Sequence, residues 1–368
     1  MKKTYYSAVL VCFIFLFWSC DDMYDKEKIR IYPTSVKTSR LLILSEGLFN
    51  MNNSTLASYN FETQQLNTDF FLSVNKRGLG DTANDMQLYG SKLYVVVNVS
   101  SQIEVLDVNT GKSLKQIPMF NEQGVARQPR FIDFMDGNAY VCSYDGTVAQ
   151  IDTTTLEIKA FVKCGRNPDG ICVANNKVYV SNSGGLDFPD FDNTVSVLTS
   201  NPLKEIKKIA VGPNPYKLHA DSQGDVYVVT RGNYGDIHYS FHRIDSKTDE
   251  TVQHFDDIQA LNFTINNDMA YIYNYDYASQ KSWIKVFDCI QEKIISENFI
   301  TDGTVINTPY GINVNRVTGD VYLTDAYSFT EWGDVLCFDK TGKLKFRINQ
   351  IGLNPNQIVF VNEKYEVK

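Results

Sequence analysis

Along most of the chain, apolar and polar positions alternate with a period of two, in short runs broken by Gly, Asn, Asp and Ser. That pattern predicts half-buried β-strands joined by tight turns. One run recurs: Tyr94-Val95-Val96-Val97, Tyr140-Val141-Cys142-Ser143, Tyr179-Val180-Ser181-Asn182, Tyr227-Val228-Val229-Thr230, Tyr271-Ile272-Tyr273-Asn274 and Tyr322-Leu323-Thr324-Asp325. Leu42-Ile43-Leu44-Ser45 reads as a degenerate first copy. The tyrosines lie 46, 39, 48, 44 and 51 residues apart, a period that suits a four-stranded unit. A polar turn precedes each run, as in Asp136-Gly137-Asn138 and Asn266-Asn267-Asp268. A second turn follows the third strand, as in Asn109-Thr110-Gly111-Lys112. No stretch of useful length has helical periodicity, so the fold class is all-β.

The chain begins in mid-unit, at Leu41–Glu46, and ends on an inner-strand segment, Asn354–Val361. Joined, these make a seventh unit. The expected fold is a seven-bladed β-propeller over residues 40–368, closed by pairing the N- and C-terminal strands in one blade, which leaves no free sheet edge. An eighth blade would need a copy that the sequence does not contain. The 22 Tyr and 22 Phe suit sheets packed face to face.

The N-terminus sets the expected compartment. Lys2 and Lys3 precede an apolar run, Ala8–Trp18, then Ser19-Cys20. The run is too short to span a bilayer. It predicts a signal peptide over 1–19, and the cysteine at its end predicts a bacterial lipoprotein site with Cys20 acylated. An acidic stretch from Asp21 to Glu27 then starts a flexible tether over 20–39. The chain has net charge −8, and it becomes more acidic once Lys2 and Lys3 leave with the leader. Nucleic-acid binding and a polybasic membrane patch are disfavoured. Cys142, Cys164, Cys172, Cys289 and Cys337 are odd in number and lack a CxxC, so they read as free thiols.

A second motif precedes each inner strand: Gln128-Pro129-Arg130, Asn167-Pro168-Asp169, Asn214-Pro215-Tyr216, Thr308-Pro309-Tyr310 and Asn354-Pro355-Asn356. Blade 2 has Thr82-Ala83-Asn84-Asp85, and blade 6 has lost the pattern at Ala260-Leu261. Such prolines also serve simply to start a strand. The following residue is more informative, because it varies and is mostly polar. In a propeller it lies at the mouth of the central channel, beside the ends of the second strands. The expected ligand-binding ring is therefore Asn84, Asp85, Arg130, Asp169, Tyr216, Tyr310 and Asn356, facing Glu46, Asn98, Tyr144, Asn182, Arg231, Tyr275 and Asp325. Long Gly- and aromatic-rich loops such as Ser183–Asn193 and Arg231–Phe241 open on the same face. Amide, hydroxyl and charged groups among aromatic rings suit a large amide-bearing or sugar-like ligand. Replacing Arg130 or Tyr216 by Ala is expected to weaken binding with little change in melting temperature.

Catalytic constellations are sparse. His238 and His242 lack a third metal ligand. Asp81, Asp85, Asp187, Asp190 and Asp192 do not form a spaced calcium loop. GxSxG, P-loop and HExxH motifs are absent. The expectation is a binding protein with no catalytic residues, no metal and no cofactor.

The repeats resemble YncE- or YVTN-like propellers. The lipoprotein site at Cys20 with its acidic tail, Leu42–Gly47, Asn53–Leu56, Gly80–Met86 and the Asn167–Ile171 stretch are similar to the BtuG-type surface lipoproteins of Bacteroides. That resemblance implies an outer-membrane, cell-surface lipoprotein that binds a corrinoid such as cobalamin or cobinamide, as ligand rather than cofactor. It further implies hand-over to a TonB-dependent transporter. Two alternatives share the fold: a propeller binding a glycan or protein, and a metal-dependent lactonase-like enzyme using Glu46, Asn182 and Asp325.

Overall fold

The Tyr-containing runs form the second strand of each blade in the computed structural model, which describes residues 34–366. The predicted signal peptide, Cys20 and the acidic stretch lie outside the described residues. From the axis outward, blade 2 consists of Ala83–Tyr89, Lys92–Val97, Gln102–Asp107 and Ser113–Pro118. Blades 3 to 7 repeat this order, with inner strands Pro129–Met135, Pro168–Ala174, Pro215–Ala220, Asn262–Asn266 and Pro309–Val314. All strand pairs within the blades are antiparallel. Neighbouring inner strands touch around the whole circle, so the fold is a closed seven-bladed β-propeller.

Blade 1 is the closure. Its inner strand, Pro355–Glu366, pairs with Thr34–Ser45, so that Leu41 faces Phe360 and Ile43 faces Ile358. Thr55–Asn60 and Leu66–Asn67 complete it. The first strand starts at Thr34, ahead of the expected end of the tether at residue 39. Val36 and Thr38, β-branched and suited to a strand, continue the ladder opposite Lys364 and Asn362. A six-residue helix, Phe70–Asn75, follows the short outer strand. Asp69 caps it by accepting from the Leu72 N–H at 3.0 Å.

The core is divided among the contacts between blades. Each of seven buried clusters joins one pair of neighbours. Leu42, Leu44, Met86 and Val95 sit between blades 1 and 2, and Tyr322, Val335, Leu41 and Ile43 between blades 7 and 1. The recurrent tyrosine fills such a wedge while its hydroxyl reaches the next blade. Tyr227 donates to the Cys289 carbonyl at 2.9 Å and Tyr179 to the Asp249 carboxylate at 2.6 Å. A ring with one polar tip supplies both the apolar area and the hydrogen bond, which explains why this residue recurs. The five cysteines among the described residues are free, and Cys142, Cys172, Cys289 and Cys337 are buried. Among the described residues no helix is long and apolar enough to cross a membrane.

Candidate functional site

Six of the seven inner strands begin with a β-bulge. In blade 3, Pro129 pairs with Ser143 and Phe131 with Cys142, leaving Arg130 as an extra residue. Asn84 and Asn356 are extra in the same way in blades 2 and 1. In blades 4, 5 and 7 the shift falls across Asp169, Tyr216 and Tyr310. A bulge re-aims the side chain it carries, and here it turns these residues toward the axis. The preceding residue is often left-handed, with φ 44° at Asn167, 56° at Asn214 and 54° at Asn354. Asn tolerates that conformation better than most residues, which accounts for the Asn-Pro pairs.

These side chains make a belt across the mouth. Tyr310 donates to Glu46 Oε2, and Asn84 Nδ2 donates to Glu46 Oε1 at 2.6 Å. Asn84 Oδ1 accepts from Arg130 Nη1 at 2.5 Å, and Arg130 Nε donates to Asp169 Oδ1 at 2.7 Å. Arg231 Nη1 lies 3.8 Å from the other Asp169 oxygen. Its guanidinium stacks 3.5 Å above the Tyr216 ring, and that of Arg130 lies 4.6 Å from the Tyr144 ring. Asn356 Nδ2 donates to the Ala83 and Asn84 carbonyls. Burial pushes the Glu46 carboxyl above its ordinary value, against the lowering effects of Tyr310 and Arg130. Two buried polar atoms of this belt, Arg231 Nε and Asn356 Oδ1, have no hydrogen-bond partner among the described residues. Such atoms are costly to leave unpaired. The belt encloses a cavity of about 140 Å³.

Nine of the fourteen expected residues thus converge: Glu46, Asn84, Arg130, Tyr144, Asp169, Tyr216, Arg231, Tyr310 and Asn356. Five do not. Asp85 turns to the far end of the channel and accepts from the Ile132 N–H at 3.0 Å. Asn98 donates to the Pro129 carbonyl. Asn182 and Asp325 were placed one residue out of register. They pair with the prolines Pro168 and Pro309, whereas Glu46, Tyr144 and Arg231 each follow such a pairing. Their true equivalents are Ser183 and Ala326, whose N–H groups donate to Asn167 and Thr308 as that of Arg231 does to Asn214. A one-residue slip in a strand moves a side chain to the opposite face. Asn182 therefore bonds Gly165, Thr194 and Ser196, and Asp325 caps Asn307 and Thr308. The group Glu46, Asn182 and Asp325 required by the lactonase-like reading does not assemble.

Tyr275 is the fifth. Blade 6 has no entrance bulge: Asn262 pairs directly with Tyr273, and the second strand runs on to Asp276. Tyr275 stays in that ladder opposite Ser282, and Tyr277 lines the cavity instead, with Leu261, Asn262 and Tyr273. The alternating tyrosines at 271, 273, 275 and 277 were the available signal. Lys217, Phe131 and Gln357 were also missed, each next to a residue of the expected ring.

Above the belt, aromatic contacts form two groups, Phe188 on Phe191 and Phe191 on Tyr234 across blades 4 and 5, and Tyr277 on Phe329 and Phe329 on Tyr310 across blades 6 and 7. Leu186, Phe188, Tyr234 and Tyr277 are exposed on these loops, and Phe49 on the blade 1 loop that follows Glu46. The carboxylates of Asp187 and Asp192 are held by Arg166 at 3.0 and 2.6 Å. They fasten the 183–193 loop and are not gathered around a cation site. His242 pairs with His254 at 2.7 Å, and not with His238. Among the described residues no group of three His, Cys, Asp or Glu is placed to hold a metal. The early expectation for Arg130→Ala also needs correction. Arg130 is nearly buried and links Asn84 to Asp169, so its removal leaves the buried Asp169 carboxylate with only the longer Arg231 contact at 3.8 Å and must lower stability.

The fold and mouth define a closed seven-bladed propeller with a polar, aromatic-rimmed axial pocket. The chain belongs to the family described as a domain of unknown function (DUF5074), which matches residues 40–360. No curated protein matches it. Among solved structures, it is similar to a quinonprotein alcohol dehydrogenase-like protein from Bacteroides thetaiotaomicron, at 17% identity and TM-score 0.63, covering 88% of this chain and 78% of that one. It is also similar to Kuenenia stuttgartiensis hydrazine synthase, at 16% identity and TM-score 0.55, covering 68% and 74%. A third similar structure is dihydro-heme d1 dehydrogenase NirN, at 10% identity and TM-score 0.56, covering 88% and 75%. At these identities the likeness concerns the fold alone.

Proposed function

We propose that this chain is a binding protein of the cell surface, anchored through an acylated Cys20, that captures a corrinoid at the propeller mouth and passes it to a TonB-dependent outer-membrane transporter. The observation that carries the binding role is the pair of unpartnered buried atoms, Arg231 Nε and Asn356 Oδ1, in an axial pocket. One is a donor and the other an acceptor, the two kinds of group that carboxamides satisfy. A corrin ring carries carboxamide side chains around its edge. The pocket, at about 140 Å³, admits one such side chain. The body of the ligand would lie above it against Tyr277, Phe329 and Tyr234. The exposed apolar side chains of the same loops would be covered by ligand and transporter, as expected of a large apolar patch.

Calorimetric titration with cyanocobalamin and with dicyanocobinamide tests this reading. Saturable binding, lost in a Tyr277→Ala, Arg231→Met double variant, supports it. Absence of heat with both corrinoids at tens of micromolar ligand, roughly the range expected to report affinities of −6 to −8 kcal/mol, removes the corrinoid assignment.

A further inference from the structure

Blade 7 differs from blades 2 to 6 in its outer half. In those five blades the third and fourth strands shift register once, near the end away from the mouth. Blade 7 repeats that shift between Cys337 and Phe338 and adds a second between Gly333 and Val335, at the mouth end. Asp334 then stands alone opposite Asn349, Gln350 and Ile351. Ile351 turns into the core, whereas Asn349 and Gln350 are exposed. Gln350 takes a left-handed φ of 54°. Residues other than glycine seldom adopt that conformation, and it clusters at functional sites.

Beside this second bulge lies a cleft of about 1000 Å³, lined by Tyr327, Glu331, Trp332, Asp334, Asn349 and Gln350. Its floor is fixed. Asp334 accepts from the Gln350 N–H at 2.9 Å, from the Tyr327 hydroxyl at 2.6 Å and from Arg347 at 3.3 Å. The groups around the floor are unengaged. Trp332 is 48% exposed. Among the described residues its indole stacks on no other ring, and neither it nor the side chains of Glu331, Asn349 and Gln350 make a hydrogen bond or an ion pair. An indole offers a flat apolar face and one N–H. The carboxylate adds acceptors, and the two amides add both donors and acceptors.

We propose that this cleft is a saccharide site, separate from the axial pocket, in which one pyranose ring lies on Trp332. The C–H groups on one face of a pyranose are weakly positive and match the negative face of the indole. Its hydroxyls, each both donor and acceptor, pair with Glu331, Asn349 and Gln350. An anion is disfavoured, because Glu331 and Asp334 are acidic and Arg347 beside them is already bound to Asp334. A cation gains less than a sugar, because one ring makes no aromatic cage and the amide N–H groups call for acceptors that a cation lacks.

The test is calorimetric titration of the full chain with maltotriose, cellotriose, mannotriose and galactotriose, and separately with tetramethylammonium. At least one trisaccharide is expected to bind saturably at millimolar concentrations, and tetramethylammonium not to. Trp332→Ala should weaken that sugar about tenfold or more, as for an aromatic anchor. Asn349→Ala, at an exposed position, should weaken it several-fold. The proposal is overturned if none of the four sugars binds, or if tetramethylammonium binds in their place. Unchanged sugar affinity in both variants overturns it equally. Corrinoid titrations report on the axial pocket alone, so the two readings fail separately.

Discussion

Blades 5 and 6 are neighbours built on the same repeat, yet they present different surfaces to the axis. In blade 5, left-handed Asn214 leads through Pro215 into a bulge, which puts Tyr216 on the mouth and Lys217 between the mouth and the far end of the channel. At the entrance of blade 6 there is no proline and no bulge, and the ladder starts at once with Asn262 opposite Tyr273. The mouth there is walled by Leu261, Tyr273 and Tyr277. One inserted residue thus separates the polar sector of the belt from its aromatic sector. The bulge does more than bend a strand, because it sends consecutive side chains to opposite ends of the channel. Asn84 faces the mouth and Asp85 the far end.

The strongest test of this comparison acts on the bulge backbone. A Cβ added at Gly170 would meet the Tyr216 carbonyl of the next blade at 2.1 Å. Gly170→Ala should therefore cost about 3 kcal/mol or more by overpacking. Asn262→Ala, at the equivalent point of blade 6, whose inner strand has no entrance bulge, should cost less than about 1.5 kcal/mol. Urea unfolding midpoints measure both, and equal effects would show that the bulges impose no special packing.

Next comes the belt. Arg130→Ala leaves buried Asp169 only its longer contact with Arg231 and should lower stability by about 3 kcal/mol. The double variant Arg130→Ala, Asp169→Ala should recover part of that loss, read again by urea midpoint.

The interface between these two blades also contains a proton-linked group. Burial lowers the His219 pKa from 6.5 to about 3. The unfolded chain takes up this proton near pH 6.5 while the folded chain does not. Stability from this residue is complete above pH 6.5 and is lost progressively as pH falls toward 3. Asp133, raised by burial to about 6, acts in the opposite sense, since its contribution grows as pH falls from 6 toward 3.8. His219→Phe, which keeps the edge-on contact with Phe263, should flatten the fall in melting temperature between pH 6.5 and 4.

The smallest change in stability is expected from Tyr277→Ala. Its ring is 58% exposed, so melting should be unaltered within about 0.5 kcal/mol. Corrinoid affinity should drop about tenfold, as for an aromatic anchor at a binding face.

Much of the fold was legible in the chain because period-two alternation and repeated turns are local signals. The Tyr core, the blade count and the closure between Leu41–Ser45 and the C-terminal strand all follow from them. The mouth was only partly legible. Counting from the proline reached Arg130, Asp169, Tyr216 and Tyr310, since one bulge displaces each of them in the same way. Counting from the end of the second strand failed at Asn182 and Asp325, because the loops after those strands differ in length and no local signal marks the last paired residue. Tyr275 failed because a missing bulge lets its strand continue.

The amino-acid sequence by itself determined that strands of this period must stack their apolar faces, and that a ring of seven such units brings equivalent positions to one axis. It also fixed which chemical groups stand near that axis. Only the tertiary structure decided which of them meet, because partnership depends on the register between strands and on contacts between blades far apart in the chain. Glu46 finds Tyr310 across 264 positions, and Lys217 and Arg316 reach the same end of the channel from different blades. Such distances in sequence leave no periodic trace.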